Sequence, residues 1–299
     1  MRIRLGSSFV IFLIVILFLA GAQTRPGSQP EQASGPEAEA ALLADLLAKT
    51  AAYCEKVKGL AFHYVCEERI ESRSYIYRTR RVGYIPLAAS DGTKASVPRL
   101  KYDLKSTRTH RTRYVYQLIG GGEKLSERRT LVEEDGRKRN EEVAQPKDVR
   151  FQGQYLVFGP VGFLSKSWQD NFTYKLAGRE KVDGREAVII LCEPRVAGGQ
   201  NDSTGRVWVD PGDGTILQIE WEPQSIQGYR EEAPPGYGRG ITWTTGYGVE
   251  KNGVRFPSRQ IVHEFLVDDR GLKVPVDDAV FVYEKYRFFT VGVEIKYDP

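Results

Sequence analysis

Residues that build reactive centres are scarce in this chain: its 299 positions include three His, three Cys and one Met. His63, His110 and His263 lie far apart in strand-like segments, and neither His-Glu-x-x-His nor Gly-x-Ser-x-Gly occurs. A zinc centre or a serine triad would have to be assembled from isolated residues, so no catalysis, metal or cofactor is expected. No glycine-rich phosphate cradle leads from a strand into a helix. Three Cys are too few for a disulfide-dense scaffold. An excess of one charge is lacking too: 43 Lys+Arg stand against 39 Asp+Glu, and a net charge of +4 excludes a dedicated nucleic-acid binder. The 41% hydrophobic and 27% charged residues suit a folded chain rather than a disordered one. Length alone allows about two domains or one large β domain.

The chain begins with a leader pattern. Arg2 and Arg4 precede an apolar run from Phe9 to Ala20, and Ala20 and Ala22 occupy small-residue cleavage positions. A cleaved signal peptide over residues 1–22 is expected, with the cut between Ala22 and Gln23. The alternative is an uncleaved anchor, but the run is shorter than the ~20 apolar residues of a spanning helix. Leu19-Ala20-Gly21-Ala22 approaches a lipobox, with Ala22 where the lipid-bearing Cys would stand. The protein is therefore read as exported, periplasmic or secreted. Cleavage leaves 277 residues, with 41 basic against 39 acidic and no Met.

Residues 23–36 are rich in Gln, Pro, Gly, Ser and Ala and predict a flexible linker. Residues 37–299 predict a single domain. From Glu37 to Lys58, Leu42, Leu43, Leu46, Leu47, Tyr53 and Val57 form one helical stripe, with Gly59 as its stop. Beyond it the pattern is β. Strands are expected over 60–70 and 75–84, then as hairpins about Gly120-Gly121-Gly122, Asp183-Gly184, Asp210–Thr215 and Asn252-Gly253, and finally over 279–289 and 293–297. Long loops are read at 88–97 and 224–240. Turn after turn joins neighbours, which predicts an antiparallel meander rather than crossover helices. Alternation puts Leu217, Ile219 and Trp221 on one face, and the N-terminal helix is the first candidate to cover it.

Four features invite a functional reading. The one apolar interruption of the meander, residues 154–170, carries Tyr155, Phe158, Phe163 and Trp168. It either plugs the core or forms a short lid helix over a lipid-sized cavity. Cys54 and Cys66 are twelve apart, at the helix end and in the first strand, and predict a disulfide clamp of about 3 kcal/mol in an oxidising compartment. A Cys66–Cys192 bond is the rival pairing. A basic stretch holds Arg108, Arg111 and Arg113, with Arg99, Lys101 and Lys105 before them. It is either a solvated sheet face or a surface for an anionic partner, a lipid head group or an envelope protein, with peripheral membrane contact. Glu67-Glu68 and Glu133-Glu134-Asp135 are read as solvated charges, because strand neighbours point to opposite faces.

The hairpin Gly205-Arg206-Val207-Trp208-Val209-Asp210 … Thr215-Ile216-Leu217-Gln218-Ile219-Glu220 resembles those of the outer-membrane lipoprotein carrier superfamily (LolA/LolB/RseB-like). So do the Asp183-Gly184-Arg185 turn and the ending Tyr283-Glu284-Lys285-Tyr286-Arg287-Phe288. The resemblance spans about residues 37–297. It implies an α+β fold, mostly antiparallel β: an unclosed barrel, or half-barrel, covered by helices on an apolar concave face. It further implies binding of lipid or lipoprotein acyl chains there, without chemistry.

Overall fold

A computed structural model describes residues 35–60, 64–88, 94–121, 124–143, 145–147, 149–150, 155–196, 204–226, 229–230 and 232–289. The leader, nearly all of the linker, the expected strand at 293–297 and residues 89–93 of the expected loop at 88–97 lie outside these residues; the rest of that loop, Ala88 and Lys94–Val97, is strand.

The chain opens with helix α1 (Pro36–Leu60), whose Ala, Leu, Glu and Lys content favours helix. Glu37 and Glu39 lie in its first turn and Lys58 in its last, matching the helix dipole. Its buried stripe is Leu46, Thr50, Tyr53, Cys54 and Val57. Four strands follow: β1 (Tyr64–Ala88), β2 (Lys94–Gly121), β3 (Lys124–Glu134) and β4 (Arg137–Val143). A 3-10 turn (Leu156–Phe158), α2 (Gly159–Leu164) and α3 (Lys166–Gln169) form the main helical interruption, and a second 3-10 turn spans Pro223–Ser225. Then come β5 (Phe172–Val182), β6 (Arg185–Pro194), β7 (Gly205–Val209) and β8 (Ile216–Trp221). The chain continues through β9 (Tyr237–Gly246), β10 (Val249–Lys251), β11 (Val254–Phe256), β12 (Arg259–Asp268) and β13 (Lys273–Phe288).

Eleven strands make one antiparallel sheet in the order β4-β3-β2-β1-β13-β12-β9-β8-β7-β6-β5. Strands β4 and β5 are its two free edges, so the sheet is an unclosed half-barrel. Its concave face holds the main core, from Leu131 on β3 through Cys66, Phe281, Val262, Trp243 and Ile219 to Ile190 and Phe172. Helices α1 and α2 supply the covering layer. Three hairpin turns use Asp or Asn before Gly with φ positive at both, namely Asp135–Gly136, Asp183–Gly184 and Asn252–Gly253. That is the backbone whose twist matches two-residue hairpins. The first of them, read as part of an acidic run, turns β3 into the edge strand β4.

Three expectations are corrected. The strands expected at 60–70 and 75–84 are one strand, β1. The polar break between them is bridged by pairing on both sides: Glu71–Ser74 pair with Asp277–Val280 of β13 and with Arg108–Arg111 of β2, and Ser74 Oγ donates to Asp277 Oδ1 at 2.6 Å. The Asn252-Gly253 turn joins the short β10–β11 pair, a separate two-stranded sheet, whereas β9 pairs with β12. Leu217 does not share a face with Ile219. A bulge sets Val209 opposite Ile216 and Trp208 opposite Gln218, leaving Leu217 unpaired between them. Leu217 packs instead with Ala187 and Trp208 in a small apolar cluster, while Ile216 and Ile219 stay in the main core.

Beyond Ser74, β1 pairs only with β2, and the two-stranded ribbon reaches the ends of the other strands. Tyr77 donates through its hydroxyl to Pro275 O at 2.7 Å, and Tyr237 to Leu100 O at 3.2 Å. Tyr102 lies edge-on to both Tyr77 and Tyr237, and Arg99 pairs with Asp269 in the β12–β13 turn.

Helix α1 is seated against the β7–β8 turn. Lys49 Nζ donates to Pro211 O at 3.0 Å, and a Cβ on Gly214, at φ +73°, would lie 2.6 Å from the Lys49 carbonyl carbon. Gly253 has the same φ but open space around it, so the two positions separate backbone strain from collision. Gly253→Ala is expected to cost about 1 kcal/mol and Gly214→Ala at least about 2 kcal/mol more in urea unfolding. Equal losses would contradict the seating of α1 on this turn.

Candidate functional site: the covered concave face

The helical interruption is fastened to both layers around it. Tyr247 donates through its hydroxyl to Leu156 O at 2.8 Å, and Tyr174 to Phe163 O at 2.6 Å. From α1, Cys54 Sγ donates to Pro160 O at 3.5 Å and Leu47 O accepts from Gln169 Nε2 at 2.8 Å. Gly159 admits no side chain, because its Cβ would lie 2.7 Å from the Tyr247 hydroxyl oxygen. Phe163 and Leu164 are fully buried, with the Phe163 ring 5.0 Å from Trp221 and 5.7 Å from Phe172 between centroids.

The four aromatics singled out in sequence therefore converge. Phe163 lies within the main core, and Tyr155, Phe158 and Trp168 pack against it half-buried. With the short helices that carry them they make a plug in the covering layer; beside Leu156, the cavity bordered by Tyr64, Tyr116 and Tyr283 has a volume of about 10 Å3, room for one water at most.

Under the plug lies a polar layer that sequence reasoning placed in solvent. Glu68 is 0% and Arg129 3% exposed. Arg129 grips Glu68 through Nε at 2.7 Å and Nη2 at 3.3 Å, and reaches Glu127 through Nη1 at 3.3 Å. Its guanidinium lies 4.7 Å from the centre of the Tyr116 ring. Burial disfavours the Arg129 cation, but Glu68 and then Glu127 outweigh it and hold the group above its ordinary pKa. Glu127 also accepts from the Tyr116 hydroxyl at 2.7 Å and from the Tyr155 backbone N–H at 2.5 Å. Tyr155 sits at φ 51°, ψ 40°, a conformation that side chains rarely adopt. One carboxylate thus ties the buried ion pair to the strained first residue of the plug.

A second polar cluster lies on β9 and β12. Glu264 is buried between Arg150 at 2.8 Å and Arg239 at 3.2 Å. Burial pushes its carboxyl above the usual range, against the pull of both arginines. Gln260 is fully buried, and neither of its amide atoms, nor Trp243 Nε1, has a hydrogen-bond partner among the described residues. Period-two alternation was the available signal: Glu68 stands between inward Cys66 and Ile70, and Arg129 two residues before inward Leu131.

The basic triplet does not form one surface. Arg111 and Arg113 face the outer side, paired with Glu71 at 2.8 Å and Glu133 at 2.5 Å. They line an open groove of about 770 Å3 that also carries Glu67, Arg69 and Glu284. Arg108, an odd number of residues away, pairs in register with Ser74 and lines a different cavity of about 500 Å3 with Ser72, His110, Arg150 and Asp277.

Neither expected disulfide is formed in this structure. Cys54, Cys66 and Cys192 are three separate buried thiols. Cys54 turns toward Pro160, whereas Cys66 lies on the sheet beside Glu68 and Tyr286. Burial pushes the Cys54 thiol up to about 12, which keeps it protonated at neutral pH. Among the described residues no group of three or more His, Cys, Asp or Glu could hold a metal, and no helix is long and apolar enough to cross a membrane.

Removing one member of the buried pair tests the polar layer. Arg129→Met leaves Glu68 uncompensated and is expected to cost about 3–5 kcal/mol in urea unfolding, while adding Glu68→Leu restores most of it. A single-variant loss under about 1 kcal/mol would contradict the pair.

Comparison with known proteins gives no matching family model and no matching curated protein. The solved structures that match do so at low identity and low TM-score. A DUF1329 family protein from Desulfovibrio piger is 13% identical over 85% of this chain and 95% of its own, with a TM-score of 0.33. A LolA superfamily protein from Nitrosomonas europaea is 10% identical over 82% and 94%, with a TM-score of 0.34. MucB is 13% identical over 84% and 94%, with a TM-score of 0.24. The superfamily that the hairpin motifs resemble is thus among those found, while the half-barrel itself rests on the strand order above.

Proposed function

We propose that the protein is an exported binding protein of the cell envelope, without catalysis, whose concave face takes an acyl chain when the plug moves aside. Residues 1–22 would be a cleaved leader, 23–36 a tether and 37–299 one binding domain. The observation that carries this reading is the plug itself. Helix α2 is six residues long and reads Gly-Pro-Val-Gly-Phe-Leu. Two glycines and so short a length give it little helical stability of its own. It persists because Leu156, Val157, Phe163 and Leu164 are buried against an apolar wall.

The energetics make the exchange a near balance. Four such side chains contribute roughly 8 kcal/mol by burial, at about 2 kcal/mol each. A chain of about a dozen methylenes contributes roughly 10 kcal/mol before association costs. An apolar chain can therefore replace the plug without large net gain. Tyr155, Phe158 and Trp168, half-buried at the rim, would then re-cover the bound chain. The unpartnered Gln260 amide and Trp243 N–H on the same sheet face would satisfy polar atoms at its head.

Titration with a sixteen-carbon fatty acid, read by native mass spectrometry, tests the exchange. Phe163→Ala removes about 3 kcal/mol of plug burial, so binding is expected to tighten at least tenfold while urea stability falls by about 3–5 kcal/mol. No complex with either protein, each with intact circular dichroism, would overturn the reading.

A further inference from the structure

We infer that the β1–β2 ribbon is a docking surface for an anionic lipid bilayer. This does not rest on acyl-chain binding at the concave face. Residues 76–108 contain eight Lys and Arg against two Asp, a net +6 in a chain whose total is +4. The rest of the protein is therefore slightly acidic, and the ribbon is its positive pole.

Acid partners are too few to neutralise it. Asp103 is shared between Arg80 at 3.1 Å and Lys101 at 3.6 Å, and Arg99 is held by Asp269. Arg78, Lys105 and Arg108 have no ion-pair partner among the described residues and are exposed. The outer groove behaves oppositely, since Arg111 and Arg113 there are matched by Glu71 and Glu133. Charge at Arg78, Lys105 and Arg108 is left available, whereas that of Arg111 and Arg113 is consumed.

Apolar side chains stand among these cations. Ile76 is 42% exposed, Val82 50%, Tyr84 60% and Leu104 56%. Arg81 lies 5.6 Å from the centre of the Tyr84 ring and donates to its hydroxyl at 3.0 Å. Exposed apolar and aromatic side chains interleaved with Arg and Lys suit the head-group boundary of a bilayer. There the apolar groups enter the acyl edge while the cations remain at the phosphates. The tyrosine contacts to Pro275 and Tyr237 seat the ribbon on the sheet ends and hold it in place for docking. An acidic protein would answer the cations but leave scattered apolar groups unmatched; a bilayer meets both.

Vesicle flotation tests the proposal, with wild type and variants compared in the same processed form so that residues 1–22 contribute equally. Phosphatidylglycerol-containing vesicles are expected to bind at least tenfold more tightly than pure phosphatidylcholine vesicles. The triple variant Arg78→Glu, Lys105→Glu, Arg108→Glu should lose at least tenfold of that affinity. Val82→Ser with Tyr84→Ser should weaken binding severalfold at 0.15 M salt, where screening reduces the charge contribution (Debye length about 8 Å). Equal binding to both vesicle types, or a triple variant that binds like wild type, would overturn it. So would polyglutamate binding as tight as vesicle binding with an inert apolar double variant, which would assign the ribbon to an acidic protein.

Discussion

A sheet of eleven antiparallel strands that does not close on itself leaves one curved apolar face to be covered, and the described chain supplies few helical residues to cover it. Most of the molecule answers to that constraint. Helix α1 runs over part of the face and is seated by Lys49 on the β7–β8 turn. The remainder falls to α2 and its flanking turns, too short and too glycine-rich to stand alone, which borrow their order from Tyr174, Tyr247 and Cys54. A cover held only by tertiary contacts is what the proposed exchange with an acyl chain requires.

The polar layer beneath gives the cover a defined attachment. Buried ion pairs add little net stability compared with apolar packing, yet breaking one is expensive. Here Glu68, Arg129 and Glu127 form a connected group, and Glu127 also holds the backbone of Tyr155. Displacing the plug therefore means releasing one N–H from a carboxylate that keeps its other partners.

Much of this was legible in the residues. The stripe from Leu42 to Val57, the Asp183-Gly184 turn and the apolar run from Tyr155 to Trp168 each follow from local rules, and each stands where those rules place it. What was not legible depends on pairing. The bulge at Leu217 moves one apolar residue to the opposite face, because Val209 and Ile216 pair one step out of alternation. The polar stretch Glu71–Ser74 reads as a break until Asp277 on β13 is brought beside it. Glu68 and Arg129 are 61 positions apart and look solvated until β1, β2 and β3 lie side by side. Arg108 and Arg111 look like one patch until strand alternation divides them. The cysteine pair looked bridgeable by separation along the chain, but Cys54 faces the plug rather than the sheet.

Hydrogen exchange across the plug tests the central claim most directly. If the plug is an exchangeable cover, amides of residues 156–169 open with a free energy well below that of β7 and β8, and a long-chain fatty acid changes their exchange while β7 and β8 stay protected. Plug amides that exchange only with global unfolding, and that do not respond to the chain, would contradict the account.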